Sequence, residues 1–176
     1  MQHRHHATGL IPRLIVVWAS LLGGLQAADL PRQWAETHLD ELIIQYSEFH
    51  ANPELSFQEK NTSTRLATAL RDCGFTVTTD IGGHGVVGLL ENGDGPVVML
   101  RADMDALPVT EQTGLPYASR VVVNKENGRD NGVMHACGHD VHVTNLIGTG
   151  CYLAAIRSDW QGMLMLVGQP AEEKGA

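Results

Sequence analysis

The run Met163-Leu164-Met165-Leu166-Val167 carries no charged or hydrogen-bonding side chain. A strand of that composition belongs inside a sheet covered on both faces, because a solvated face would alternate apolar with polar residues. The chain must therefore supply neighbouring strands and helices to bury it, and the remaining periodicity does so. Residues 33–49 space Trp34, Leu39, Leu42, Ile43, Tyr46 and Phe49 at helical intervals, and Asn52-Pro53 stops that helix. Ser56 and Glu59 form the pattern of a capping box before a second helix through Leu66, Leu70 and Cys73, ended by Gly74. Residues 75–79, 86–90 and 97–101 read as strands, the last two joined by the turn residues Asn92-Gly93-Asp94-Gly95. Residues 103–133 read as irregular, with an Asn/Gly-rich loop over 124–132, and residues 143–157 as a buried helix. The order ααβββ, loop, α, β predicts a layered α/β fold with a mixed sheet. At 176 residues the chain is long enough for one domain with a substantial core.

The first 27 residues follow a different logic. A polar segment with Arg4 and Arg13 precedes the apolar run 14–22, then Gly23-Gly24 and the small residue Ala27. That order is the pattern of a secretory signal peptide, and the run falls well short of the ~20 residues that span a bilayer. The expected organisation is a signal peptide over 1–27 and a periplasmic or secreted domain over 28–176, with no stable membrane span after cleavage. An uncleaved anchor or a buried helix is the alternative. The chain holds 12 Lys+Arg against 20 Asp+Glu. With no basic cluster in the rest of the chain, nucleic acid is excluded as a partner. Three Cys are too few for a small disulfide-stapled scaffold.

Residues 83–88 fit G-x-G-x-x-G. A dinucleotide site needs that loop to open a helix, and Val86-Val87 followed by the turn at 92–95 leaves room only for a strand. Asn61-Thr62-Ser63 is a formal glycosylation sequon, which matters only in a eukaryotic secretory pathway.

Three polar clusters follow predicted strands or precede a helix: Arg101-Ala102-Asp103-Met104-Asp105; His135-Ala136-Cys137-Gly138-His139-Asp140-Val141-His142; and Glu172-Glu173 after Gln169-Pro170. In open α/β sheets, sites form beyond the carboxyl ends of strands, so the three are candidates to converge. Thiolate, imidazole and carboxylate are the donors of zinc and related divalent metals, and Gly138 lets Cys137 and His139 face one ion. Glu172 and Glu173 are either a solvated acidic pair or a divided pair, one ligand and one general base. Asp103 and Asp105 have the same two options, facing the site or pairing with Arg101.

Read together, several segments resemble the M20 metallopeptidase family, in its aminoacylase-like amidohydrolase branch of hippurate and auxin-conjugate hydrolases. The segments are His50-Ala51-Asn52-Pro53-Glu54-Leu55-Ser56, Leu100 through Pro108, Thr110 through Ser119, Met134 through Asp140, and Gln169-Pro170-Ala171-Glu172-Glu173. The resemblance implies a three-layer αβα zinc-peptidase-like catalytic domain holding two divalent metal ions, zinc or manganese. It implies Cys137, His139 and Glu173 as metal ligands, Cys137 bridging, Glu172 as general base and Asp105 as the aspartate that supports catalysis. Asp103 falls where other branches place a ligand His and is not expected to be a ligand here. His135 and His142 are expected to support the ligands. Members of that family are much longer, with a lid and dimerisation domain and further His ligands beyond the position of Glu173. The resemblance therefore covers the N-terminal portion only, with the domain truncated, the metal site incomplete and a homodimer possible only in a full-length form.

The implied activity is hydrolysis of N-acyl amino acids or short peptide conjugates by metal-activated water with a Glu general base. Two alternatives stand beside it. One is a non-catalytic fragment or degenerate copy with at most weak metal binding, and the other is a secreted module that binds dicarboxylates or peptides without metal.

Overall fold

The computed structural model describes residues 30–124 and 130–175. The expected signal peptide and the centre of the Asn/Gly-rich loop lie outside the described residues. The chain divides into two compact units, one ending at Thr37 and one beginning at His38. Residues 30–37, in the first, are helical, with Arg32 and Glu36 paired one turn apart at 2.9 Å. The features below belong to the second unit.

That unit opens with α1 (Leu39–Ala51). The single helix expected over 33–49 is thus interrupted, with His38 in a turn. α2 (Lys60–Asp72) follows and ends as expected: Gly74 N–H donates to Arg71 O and Phe75 N–H to Leu70 O, the two bonds of a Schellman stop. The predicted capping box does not form. Glu54 takes its place, accepting from the backbone N–H and side chain of Asn61 and of Thr62. Ser56 Oγ instead donates to the Asp105 carboxylate, and Glu59 accepts from the buried Ala171 N–H, which needs an acceptor more than an exposed helix end does.

Strands β1 (Thr76–Ile81), β2 (Gly85–Asn92), β3 (Val97–Asp103) and β6 (Gly162–Gln169) form one sheet in the order β1-β2-β6-β3. β6 runs antiparallel to β2 and parallel to β3, so the sheet is mixed. The charge-free segment does occupy an interior position. As a result the 92–95 turn joins two strands that are not partners, because β6 lies between them. Residues 83–88 form a turn and the start of β2, so the glycine pattern opens no helix. Two short strands, β4 (Val122–Asn124) and β5 (Asp130–Gly132), pair at the base of the irregular region.

α3 (His139–Ala155) buries Val143, Leu146, Ile147 and Gly150, one stripe at helical spacing. The stripe lies on the sheet at very close range: a Cβ on Gly150 would stand 2.5 Å from Leu166 Cδ1. α2 covers the same sheet face through Leu66 and Leu70, which abut Gly168 and Gly88. Val86, Leu90, Leu164 and Leu166 line that face and form the core with Phe49, Phe75 and Met104. α1 packs against α3. The three labelled helices therefore make one layer on one face. On the other face Val87, Leu89, Met163, Met165 and Val167 are half-buried, and Val97 and Met99 on β3 are exposed. The described residues hold two of the three layers expected.

Candidate metal centre

β3 and β6 end side by side, Asp103 opposite Gln169, and Met104 N–H donates to Gln169 O. Whatever follows either strand emerges at one place, beyond the carboxyl edge of a parallel pair. The His135–His142 segment reaches the same place because α3 begins there. Gly138 precedes α3 with φ +80°, a left-handed conformation that costs a side-chain-bearing residue about 1–2 kcal/mol. The turn brings Cys137 and His139 to one side, as the spacing implied.

His139 is the pivot. It is buried, and its Nδ1 lies 2.8 Å from the Asp105 carbonyl oxygen. A carbonyl only accepts, so Nδ1 carries a proton and Nε2 is the nitrogen turned to the cluster. Around Nε2 stand Asp103 Oδ2 at 3.7 Å, Glu172 Oε2 at 3.9 Å and Glu173 Oε1 at 3.9 Å. Donor atoms of Cys137, His139 and Glu173 all lie within 4.8 Å of one another. A second set, Asp103, His139 and His142, meets the same limit. The ligand set implied by resemblance is thus brought together. The second set is new: Asp103 was not expected among ligands, and His142 only as support. Its signal lay in the alternation Asp103-x-Asp105 at a strand end and in His142 one turn after His139. One sequence cannot show that the two segments face each other.

Charge in this cluster is unbalanced. Hydrogen bonding to Glu173, some desolvation and the nearby carboxylates push the exposed Cys137 thiol above its usual range. Burial alone would raise Asp103, but the hydrogen bond with His142 at 2.5 Å and the neighbouring His139 outweigh it, and its carboxyl lies below the usual range. Glu173 Oε1 is buried without a hydrogen-bond partner among the described residues. A buried carboxylate oxygen without a donor is costly. A divalent cation between Cys137, His139 and Glu173 would satisfy that oxygen and offset the clustered negative charge, so the donors present fit a metal of the zinc type.

Asp105 has another place. It is fully buried, with Oδ1 accepting from Glu172 N–H at 3.2 Å and Oδ2 from Glu173 N–H at 3.0 Å and Ser56 Oγ at 2.6 Å. It orients the two glutamates and, through its carbonyl, the His139 ring. Glu59 completes the support: Ala171 N–H donates to its Oε1 at 2.6 Å, at the left-handed residue (φ +55°) just before Glu172. Glu172 itself stays more exposed than Glu173, at 41% of its side chain against 19%, so one of the pair remains open to solvent. His135 is buried, and neither ring nitrogen finds a partner among the described residues. Burial, with Asp140 opposing and His139 and His50 adding, pushes its imidazole down to about 4, so it is neutral at pH 7.

Residues 99–176 match the model of peptidase family M20/M25/M40. The chain is 47% identical over 127 residues to a hippurate hydrolase of Campylobacter jejuni, covering 72% of this chain and 30% of that protein. It is the M20 family that this chain resembles. Further relatives include an IAA-amino acid hydrolase ILR1-like 5 of Arabidopsis thaliana, 38% identical over 80% of this chain and 30% of its own length. Among solved structures, the Bacillus subtilis YXEP protein, a dinuclear metal binding peptidase from the M20 family, superposes with a TM-score of 0.71 at 38% identity. That match covers 80% of this chain and 37% of the other. The chain spans about a third of the length of the curated relatives it matches, and its α/β fold with a mixed sheet matches that of the M20 peptidase structure. Among the described residues no helix is long and apolar enough to cross a membrane.

Proposed function

We propose that this chain carries the metal-holding part of an amidohydrolase site that cleaves N-acyl amino acids or short peptide conjugates. The convergence of Cys137, His139 and Glu173 beside a more exposed Glu172 carries the reading. The relatives named hippurate hydrolase, IAA-amino acid hydrolase and N-acetylcysteine deacetylase support the substrate class, each being named for an N-acylated amino acid. The donors Cys137, Glu173, Asp103 and His142 gathered around His139 support a pair of divalent ions, zinc or manganese, with His139 Nε2 available to one of them. When bound, such ions supply Lewis acidity that polarises an amide carbonyl and acidifies water. The chain's own part is then proton handling and positioning. Glu172 takes a proton from the attacking water at a carboxylate oxygen and returns it to the amine as the C–N bond breaks. Asp105 holds the Glu172 backbone while this happens, and His139 Nδ1 stays protonated against the Asp105 carbonyl.

A second reading, a metal binder without turnover, is favoured by the small donor count, since the two sets of three share His139. One experiment separates the two. The purified chain is incubated with zinc or manganese and N-benzoylglycine or N-acetyl amino acids. Turnover that falls about 100-fold or more in Glu172→Gln supports hydrolysis with Glu172 as base. Metal binding without turnover supports the second reading, and turnover untouched by Glu172→Gln overturns the assigned base.

The same chain is proposed to work in the periplasm or outside the cell. The order of the first 27 residues supports export. So does the disulfide between Cys73 and Cys151, since such bonds persist in oxidising compartments. Cell fractionation with N-terminal sequencing tests this: a mature start near Ala28 in the exported fraction is expected, and an intact Met1 in a reduced cytoplasmic pool contradicts it.

A further inference from the structure

His50 lies at the end of α1, is buried, and takes no part in the metal centre. Its two ring nitrogens meet two different carboxylates. Nδ1 is 2.6 Å from Asp140 Oδ2 and Nε2 is 3.0 Å from Glu111 Oε1. Both acids are almost wholly buried, at 2% and 1% of their side chains. A neutral imidazole donates from one nitrogen only, so serving both carboxylates requires both nitrogens protonated. The remaining oxygens are also satisfied. Asp140 Oδ1 accepts from Val141 N–H, and Glu111 accepts from Thr113 Oγ1 and Ser119 N–H. Tyr46 and Tyr117 enclose the imidazole, with ring centroids 5.6 and 5.4 Å away.

The three elements that meet at His50 are far apart in sequence. α1 brings the imidazole, the loop after β3 brings Glu111, and the first turn of α3 brings Asp140, the residue after His139. We propose that His50 is a positioning residue whose imidazolium pins the first turn of α3, and with it His139, to the Glu111 loop. The consequence for metal affinity rests on the metal-centre reading above. The pin itself does not.

Burial would lower the His50 imidazolium, but its hydrogen bonds to Glu111 and Asp140 outweigh that, and the net direction is upward from 6.5. The groups facing it are Tyr46 from α1, Glu111 and Tyr117 from the loop, Asp140 from α3 and the neutral His135 from the segment before it. A raised folded value means the pin is fully present below the ordinary imidazole range and is lost as pH climbs through the raised value. Glu111 moves the other way. Burial opposes its ionisation, yet the Thr113, His50 and Ser119 hydrogen bonds hold it below 4.5, so its contribution fades only as pH falls through that lowered value.

The test uses the full chain and three variants: His50→Gln, Leu70→Ala as a destabilised control in the α2 core, and Cys137→Ser. Hydrogen exchange is followed at the amides of Val141 and His142, both bonded to Gly138 O in the first turn of α3. Exchange at these two amides about tenfold faster in His50→Gln, beyond any change in Leu70→Ala, is expected, and equal exchange in the two variants overturns the pin. Imidazole 15N shifts followed across pH should show both His50 nitrogens protonated at pH 6 and deprotonation only above the ordinary 6.5, and a ring already neutral at pH 6 overturns the proposal outright. Cobalt affinity, read by the Cys137-dependent charge-transfer band, should fall about tenfold in His50→Gln and stay unchanged in Leu70→Ala. If cobalt gives no band that Cys137→Ser removes, the metal reading fails, while exchange and 15N shifts still decide the pin.

Discussion

Replacing Cys73 and Cys151 by Ser is expected to lower the unfolding free energy by about 4 kcal/mol. The bond joins the C-terminal end of α2 to α3 across 78 residues of sequence, with Cα atoms 5.1 Å apart. Closing a loop of that length removes much of the unfolded chain's freedom, and chain-entropy arguments put the stabilisation at about 4–5 kcal/mol. Both cysteines also pack against the core, so two Ser place hydroxyls where sulfur filled space. For a domain whose whole stability is on the order of 5–15 kcal/mol, this is a large share. Urea melts of the oxidised protein and of the double variant measure it. A difference under about 1 kcal/mol contradicts the role given to the bond.

The second large effect is expected at Asp105. Asp105→Ala leaves Ser56 O–H, Glu172 N–H and Glu173 N–H without their shared acceptor. Hydrogen bonds to a charged group contribute about 1.5–3 kcal/mol each, and buried donors left unpaired add to the loss. With partial rescue by water, destabilisation of about 3–5 kcal/mol follows. Asp105→Asn keeps the side-chain shape and one carbonyl acceptor, so it is the milder change. It still swaps one acceptor oxygen for an NH2 facing an N–H. Melting curves give the stability term. Metal titration of the Asn variant gives the positional one, because its backbone carbonyl still orients His139. If Asp105→Ala melts like the parent chain, the support assigned to this carboxylate is wrong.

Much of this was legible in the sequence where local rules suffice. The apolar run at 163–167 demanded an interior strand, and β6 is one. The stripe of Val143, Leu146, Ile147 and Gly150 made α3 a buried helix. Gly138 between Cys137 and His139 announced a tight turn, and the structure has one. What failed depended on distant partners. Ser56 and Glu59 had the spacing of a helix cap, yet Asp105 and the Ala171 amide, 49 and 112 residues away, claimed them. Asn92-Gly93-Asp94-Gly95 had the chemistry of a turn between strands, but nothing local reveals that β6 enters between them. The Cys73–Cys151 bond was hidden for the same reason, since three cysteines permit three pairings and spacing does not choose among them. Asp103 and His142 read as a strand-end acid and a supporting His, and only the packing of α3 on β3 joins them into a candidate donor set. His50 carried its motif without a role, because both carboxylates that hold it lie more than sixty residues downstream.

The central claim is that one cation is shared by Cys137, His139 and Glu173. The measurement is a cobalt titration of the purified chain, followed by the thiolate-to-cobalt absorption that the histidines near the N-terminus cannot produce. A saturating band that disappears in Cys137→Ser, and appears only at about tenfold or higher cobalt in His139→Ala and Glu173→Gln, is the predicted result. A band of unchanged affinity in His139→Ala and Glu173→Gln, or no band at any cobalt concentration, would contradict it.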